Sequence, residues 1–279
     1  MKVLVTGVSG QLGFDVMREL LARGIEAKGA SRSDFSLTDF AAMRRFVEAH
    51  RPTAIIHCAA YTAVDKAEDE PELCREVNAA ATGELARLAK EIGAKFLYIS
   101  TDYVFPGTGE DFYEPEDEKA PCNVYGESKL LGEEAALEAL EELFIVRISW
   151  VFGENGKNFI KTMLRLAETH EELSVVGDQI GSPTYTRDLA RLLADMIVTE
   201  KYGVYHATNE GTCSWAELAK EALRCAGKKT RVKAIKTEEY PTKAKRPKNS
   251  RLSKKCLDDA GFSRLPDWRD AVARYVELI

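Results

Sequence analysis

Val3-Leu4-Val5-Thr6-Gly7-Val8-Ser9-Gly10-Gln11-Leu12-Gly13 is the stretch that decides the fold. A short apolar run rich in β-branched residues meets glycines spaced G-x-x-G-x-x-G. An apolar-periodic stretch through Val16, Met17, Leu20 and Leu21 follows. The order is strand, glycine loop, helix. Such a loop lets backbone approach a phosphate closely, and the helix N-terminus adds free N–H groups and a positive dipole end. The spacing departs from the common G-x-G-x-x-G. The loop's place directly after the first strand favours a phosphate loop over a plain tight turn.

Working outward, Ile25 to Ala30 predicts a second strand ending in Ser31-Arg32. In dinucleotide folds an acidic residue here holds the ribose 2′-hydroxyl, whereas an arginine accommodates a 2′-phosphate. Ser31 and Arg32 therefore lean towards NADPH. Asp34, two residues on, leaves NADH open, and a solvated loop arginine is the plainer alternative. Phe40 to His50 reads as a helix ended by Pro52. Ala54 to Ala60 reads as a third strand, apolar throughout like a central parallel strand, with His57 a packed core residue. A long helix is expected over roughly 72–92, containing Asn78, and a fourth strand over Lys95 to Ile99. This alternation predicts an α/β, doubly wound parallel sheet. Ligands bind such sheets at the carboxyl ends of the strands. The glycine loop, Ala60-Tyr61-Thr62 and Ser100-Thr101-Asp102 all lie at those ends.

The fourth strand leads through Thr101-Asp102-Tyr103-Val104-Phe105 to Tyr125-Gly126-Glu127-Ser128-Lys129, where a helix expected to run to Glu142 begins. Tyr125 and Lys129 are one helical turn apart and share a face. A nearby ammonium favours the phenolate, which turns a tyrosine of ordinary pKa about 10 into a usable proton donor or acceptor. Thr101 could hydrogen-bond the same substrate oxygen. Alone the pair is weak: the alternative is a half-buried aromatic and a solvated lysine.

Residues 110–123 read as an acidic loop, followed by a strand over Phe144 to Ile148. Beyond it, helices are expected at 157–169, 186–198, 214–226 and 267–278, and short strands at 173–176, 203–206 and 231–235. The basic stretch 237–251 carries Lys243, Lys245, Arg246, Lys248 and Arg251, which either meet a diphosphate or form an exposed loop. The expected organisation is a nucleotide-binding domain over 1–150 and a smaller region over 151–279, some of whose segments return to the first.

The 279 residues are 45% hydrophobic and 30% charged, which argues against disorder of the whole chain. A net charge of -6 argues against general nucleic-acid binding. No leader pattern and no apolar run of about 18 residues is seen, so the expectation is a cytoplasmic protein with no membrane span. The six cysteines are scattered without a C-x-x-C pair, so neither a disulfide framework nor a zinc site is expected.

Several motifs occur in a telling order: Val5 to Gly13, Cys58 to Glu68, Ser100 to Phe105 with Tyr125 and Lys129, Ser149 to Gly153, Asn158 to Met163, Asp178 to Thr184, and Arg246 to Arg251. Together they resemble the extended short-chain dehydrogenase/reductase superfamily and, within it, the dTDP-4-dehydrorhamnose reductase family, over almost the whole chain. The resemblance implies a Rossmann-type sheet with a smaller C-terminal α/β substrate-binding region. It implies reduction of the C4 ketone of dTDP-4-dehydro-L-rhamnose by NADPH, with NADH left open. The cofactor diphosphate would lie on Gly10, Gln11, Leu12 and Gly13 behind Gly7, bordered by Ala60, Tyr61 and Thr62. Ser31, Arg32, Ser36, Leu37, Tyr125 and Lys129 complete the cofactor set. Tyr125 would protonate the alkoxide, Lys129 would lower its pKa and hold the nicotinamide ribose, and Thr101 would polarise the carbonyl. Val64, Thr101, Asp102, Tyr103, Val104, Trp150, Asn158 and Arg246 would contact the dTDP-sugar. Asn78 matches an asparagine that helps hold a proton-relay water in the wider superfamily.

Ile148, where the family commonly has threonine, is a minor departure, and Arg32 stands near a position often acidic in relatives. A nucleotide-sugar epimerase or dehydratase is the second reading, disfavoured for dehydration because Thr101 is followed by Asp102-Tyr103 rather than an acidic pair. A regulatory subunit resembling the methionine adenosyltransferase β-subunit is the third. Some relatives form metal-bridged dimers through glutamates. Those glutamates are not mapped here, so no metal is expected and a homodimer is left open.

Overall fold

A computed structural model describes residues 1–279. Five strands of the main sheet come from the first half: β1 Lys2–Thr6, β2 Glu26–Ala30, β3 Ala54–His57, β4 Lys95–Thr101 and β5 Leu143–Ile148. A sixth, Gly203–His206, pairs parallel with β5 and gives the spatial order Gly203–His206, β5, β4, β3, β1, β2. All its neighbours run parallel. Strand side chains alternate between faces. Val3, Val5, Ile56, Leu97 and Ile99 therefore build one core with helices Gln11–Ala22 and Thr186–Ile197. Leu4, Ile55, Phe96, Tyr98 and Ile145 build the other, against helices Phe40–His50, Ala81–Ile92 and Val124–Ala139. Helix Thr186–Ile197, strand Gly203–His206 and residues 257–265 thus lie on the main sheet, although they come from the second half of the chain.

The remaining second-half segments form smaller clusters. Phe152, Tyr185, Trp268 and Tyr275 make one, and Leu173, Val175 and Leu223 another. Strand Glu172–Val176 pairs parallel with Arg231–Ile235, and Ile180–Gly181 is flanked by Cys213–Ser214 and Asn249–Ser250.

Local chemistry explains the element ends near the site. Asp39 caps Phe40–His50 by accepting from the Ala42 amide at 2.9 Å. Asn123 caps Val124–Ala139 by accepting from the Gly126 amide at 2.8 Å. That helix stops at Ala139 rather than Glu142, because Leu140 turns extended and buries its side chain. β3 stops at His57, three residues before the expected end: the Ala59 amide donates to Thr6 Oγ1 at 3.2 Å and the Tyr61 amide to Asn78 Oδ1 at 2.8 Å, so the chain peels off the ladder. The long helix expected over 72–92 is interrupted by a π-helical stretch at Glu76–Ala80 that carries Asn78. Such stretches concentrate at functional sites. Helix Val124–Ala139 crosses here at Gly132, where a Cβ would lie 2.4 Å from the Asn78 carbonyl oxygen. The missing side chain lets this helix approach that closely.

Candidate active site

The glycine loop closes tightly between β1 and helix Gln11–Ala22. Gly7 has φ +72°, and a Cβ there would lie 2.7 Å from the Ala59 amide nitrogen. A Cβ on Gly13 would lie 2.4 Å from the Gly7 carbonyl oxygen. Only glycine fits at both, so backbone rather than side chains lines this loop. Gly10 begins the helix with no side-chain cap, so the first-turn N–H groups have no side-chain partner. The Leu12 side chain is buried in the core and leaves only its backbone to a ligand. This cradle fits a diphosphate.

At the end of β2, Asp34 accepts from the Ser31 amide at 2.8 Å and from the Ser31 hydroxyl at 2.9 Å, which holds its carboxyl below the usual value. Its carboxylate is spent on the turn. Arg32 is exposed and forms no ion pair, so the free charge at this strand end is positive. Ser36 shares a hydrogen bond with Thr38 at 2.9 Å, and Leu37 packs against the core.

Thr101 ends β4, and Asp102 opens the 3₁₀ turn Asp102–Val104. Tyr125 lies in the first turn of helix Val124–Ala139 and Lys129 one turn further. The Lys129 ammonium is buried. It donates to the Ile99 carbonyl at 2.6 Å and sits 4.0 Å from the centre of the Tyr98 ring. Burial pulls its pKa down to about 7 against the opposing pull of Glu133. Burial pushes the Tyr125 phenol well up and Asp102 adds to this, while Thr101 acts in the lowering direction. The expectation that Lys129 lowers the Tyr125 pKa is therefore corrected for the free protein. The ammonium faces Ile99 and Tyr98, and desolvation dominates the phenol.

Asp102 is also buried. It accepts from the Thr101 hydroxyl at 2.9 Å, and its Oδ2 has no partner. Burial pushes it up to about 6. Tyr103 packs edge-on to Tyr125 with ring centroids 5.6 Å apart. Trp150 adopts φ +50° and stacks on Trp215 at 3.8 Å. A left-handed non-glycine residue stores strain that surrounding structure must hold in place. Arg246 donates to Asp65 Oδ2 at 2.6 Å, while its Nη1 is buried without a partner. Val64 begins the short helix Val64–Ala67 that carries Asp65. Beside Arg246 opens a cleft of about 820 Å³, walled by the loop at Gly107 and by Asp178, Lys245 and Lys248. In the basic stretch, Lys243 pairs with Asp69, and Lys248 with Glu238 and Asp178.

Three expected roles are corrected. The Val104 side chain is fully enclosed with Phe105 and Leu252 and cannot touch a ligand. The Asn158 side chain is committed within the protein. Its Oδ1 accepts from the Lys161 amide at 3.0 Å, and its Nδ2 lies near Tyr275 (2.7 Å), Gly153 (3.0 Å) and Gln11 (3.1 Å). The Asn78 carbonyl already accepts from Thr82 at 2.8 Å and from Tyr98 at 3.1 Å, leaving no lone pair for a relay water. The Asn78 side chain instead fixes Tyr61, whose own hydroxyl donates to Glu70 at 2.9 Å. Ala60 is half-buried beside it and Thr62 exposed.

Sequence reasoning missed Glu133 and Arg147, which lie buried behind Ser100. Two signals pointed to them: Glu133 falls one turn after Lys129, and Arg147 sits inside an otherwise apolar strand.

The family model described as the RmlD substrate binding domain matches residues 1–279. The chain is 40% identical over 276 residues to the spore coat polysaccharide biosynthesis protein SpsK of Bacillus subtilis, covering 99% of this chain and 97% of that one. It is 40% identical over 289 residues to the dTDP-4-dehydrorhamnose reductase of Escherichia coli, covering 98% and 96%. A crystal structure of dTDP-4-dehydrorhamnose reductase from Bacillus anthracis in complex with NADP superposes with a TM-score of 0.97 at 41% identity, covering 100% of both chains.

Proposed function

We propose, from the premise that this chain belongs to the RmlD family, that it catalyses NADPH-dependent reduction of the C4 ketone of dTDP-4-dehydro-L-rhamnose. It is an oxidoreductase of the Rossmann type whose substrate is a dTDP-sugar and whose cofactor is NADP(H). The observation that supports this reading is that Thr101 ends β4 and the Lys129 ammonium, one turn after Tyr125, is bonded to the Ile99 carbonyl of that same strand, in the sheet whose β1 ends in the glycine cradle.

Backbone from Gly10 to Gly13 holds the cofactor diphosphate, and the free Arg32 guanidinium meets the ribose 2′-phosphate. When bound, the nicotinamide supplies the hydride. Tyr125 stays protonated in the free site, as its raised pKa requires, and gives that proton to the oxygen that becomes the alcohol. In the free site the Thr101 hydroxyl donates to Asp102 at 2.9 Å, so it serves the same oxygen by turning its proton from that carboxylate to the bound ketone. Lys129, tethered to Ile99, lies one turn behind Tyr125 to hold the cofactor ribose. Tyr103, Trp150 and the unpartnered Arg246 Nη1 are the side chains left to recognise the nucleotide-sugar.

No helix is long and apolar enough to cross a membrane. Reactants of this kind, a nucleotide-sugar and a reduced nicotinamide, support a cytoplasmic location. The net charge supports a protein without a nucleic-acid partner. Light scattering of the purified protein decides between a monomer and a homodimer.

The test follows loss of the near-ultraviolet absorbance of NADPH with purified protein and dTDP-4-dehydro-L-rhamnose. Sugar-dependent oxidation is expected. Oxidation with another keto-sugar alone moves the assignment to a different nucleotide-sugar. Cofactor binding without any turnover favours a regulatory subunit.

A further inference from the structure

The turn Gly153–Lys157 belongs to the second half of the chain, yet it lies against the glycine loop of the first. The Asn155 side-chain amide donates to the Ser9 carbonyl at 2.9 Å and to the Gly10 carbonyl at 3.2 Å. The turn itself is held from several sides. Lys161 donates to the Glu154 carbonyl at 2.5 Å and to the Gly156 carbonyl at 3.1 Å. The Glu154 carboxylate receives Arg18 at 3.2 Å and Arg187 at 3.0 Å. Asn155 is thus presented by an anchored turn.

We propose that Asn155 is a positioning residue for the cofactor: by holding the Ser9 and Gly10 carbonyls, it fixes the Gln11 N–H, the first of helix Gln11–Ala22, towards the diphosphate. The peptide plane supplies the reason. In a trans peptide the N–H points opposite to the C=O, so fixing the Gly10 carbonyl fixes the direction of the Gln11 N–H. The helix-start N–H groups have no intrahelical partners, and Gly10 has no side chain to cap them. A glycine-rich loop left to itself populates many backbone states. The loop has bonds of its own, from the Gly10 amide to the Gly7 carbonyl at 2.9 Å and from the Phe14 amide to the Gly10 carbonyl at 3.4 Å; the two from Asn155 add to these and hold the anion-binding state in advance, so binding does not have to supply that ordering. The two halves of the chain are coupled here: the turn that follows strand β5 and Trp150 also shapes the cofactor cradle.

This inference rests on reading Val5 to Gly13 as the diphosphate loop, and the experiment separates the two. NADPH affinity is measured by fluorescence titration of the unaltered protein, Asn155→Ala and Asn155→Asp. The same proteins are titrated with 2′-phosphoadenosine, which lacks the 5′-diphosphate. Asn155→Ala is expected to weaken NADPH about tenfold, the size two ordinary hydrogen bonds give. Asn155→Asp is expected to weaken it further, because a carboxylate would face two carbonyl oxygens. The affinity for 2′-phosphoadenosine should stay within about twofold, since only diphosphate contacts are lost. In turnover the KM for NADPH should rise while kcat at saturation holds. Unchanged NADPH affinity in Asn155→Ala overturns the proposal, as does an equal loss for 2′-phosphoadenosine, which would show general loosening. Failure of the unaltered protein to bind NADPH overturns the loop reading itself.

Discussion

Glu133 and Arg147 meet as a buried two-pronged ion pair behind the carboxyl end of β4. Arg147 donates from Nε to Glu133 Oε1 at 2.9 Å and from Nη2 to Oε2 at 2.6 Å, and the side chains are only 2% and 3% exposed. Glu133 Oε1 also accepts from Ser100 at 2.5 Å, and Arg147 Nη1 donates to the Pro115 carbonyl at 2.8 Å. Ser100 and Arg147 are cross-strand partners in β4 and β5. The pair therefore pins the helix carrying Tyr125 and Lys129 to the strand carrying Thr101. Its worth lies in registration, since a buried pair recovers in attraction little more than it loses in desolvation.

Removing one partner leaves a buried charge alone. Glu133→Gln should destabilise the protein by about 3–5 kcal/mol in denaturant unfolding. The double change Glu133→Leu with Arg147→Met should recover much of that loss while kcat stays low, because the helix would no longer be registered against Thr101. Full activity in the double variant would remove the pair from the positioning of the site.

Tyr125→Phe keeps the ring that packs on Tyr103 and deletes the hydroxyl proposed as proton donor. Turnover should fall about 10²–10⁴-fold, the usual contribution of a general acid. NADPH affinity by fluorescence titration should be unchanged. Turnover near that of the unaltered protein would take Tyr125 out of the chemistry.

Asp102 gives a pH signature. Its carboxyl rises from the ordinary 3.8 to about 6 on folding, through burial. Between these values the folded protein binds more protons than the unfolded one, so stability falls as pH rises through that window. Asp102→Asn should flatten this part of the stability profile, read from thermal midpoints across a pH series. An unaltered slope in Asp102→Asn would place the titration elsewhere.

Arg32 stands free while Asp34 is spent on Ser31. Arg32→Ala should raise the KM for NADPH about 10–100-fold, the scale of a charge-assisted contact, and the KM for NADH far less. Equal effects on the two cofactors would exclude a 2′-phosphate contact.

Much of this protein was legible in one dimension. The β-branched run before Gly7, the period of Phe40 to His50 and the spacing of Tyr125 and Lys129 are short-range patterns. Backbone sterics, side-chain alternation and turn chemistry express them locally, which is why strand β1, helix Phe40–His50 and the start of helix Val124–Ala139 fall where the residues place them. The order of motifs along the chain carried the family. Contacts between distant segments were not legible. Nothing near Asn158 in sequence shows that Tyr275 and Gln11 would claim its amide, and nothing near Asn78 shows that Thr82 and Tyr98 would fill its carbonyl. The same holds for Asn155 over the glycine loop and for which of the second-half segments expected to return is the one that pairs with β5, namely Gly203–His206. The sequence alone determined which chemical groups are present and the local elements that carry them. The tertiary structure decided which groups are spent and which are free, and how far burial moves Tyr125, Lys129 and Asp102. Desolvation and hydrogen-bond satisfaction depend on everything packed around a group, and those neighbours come from the whole length of the chain.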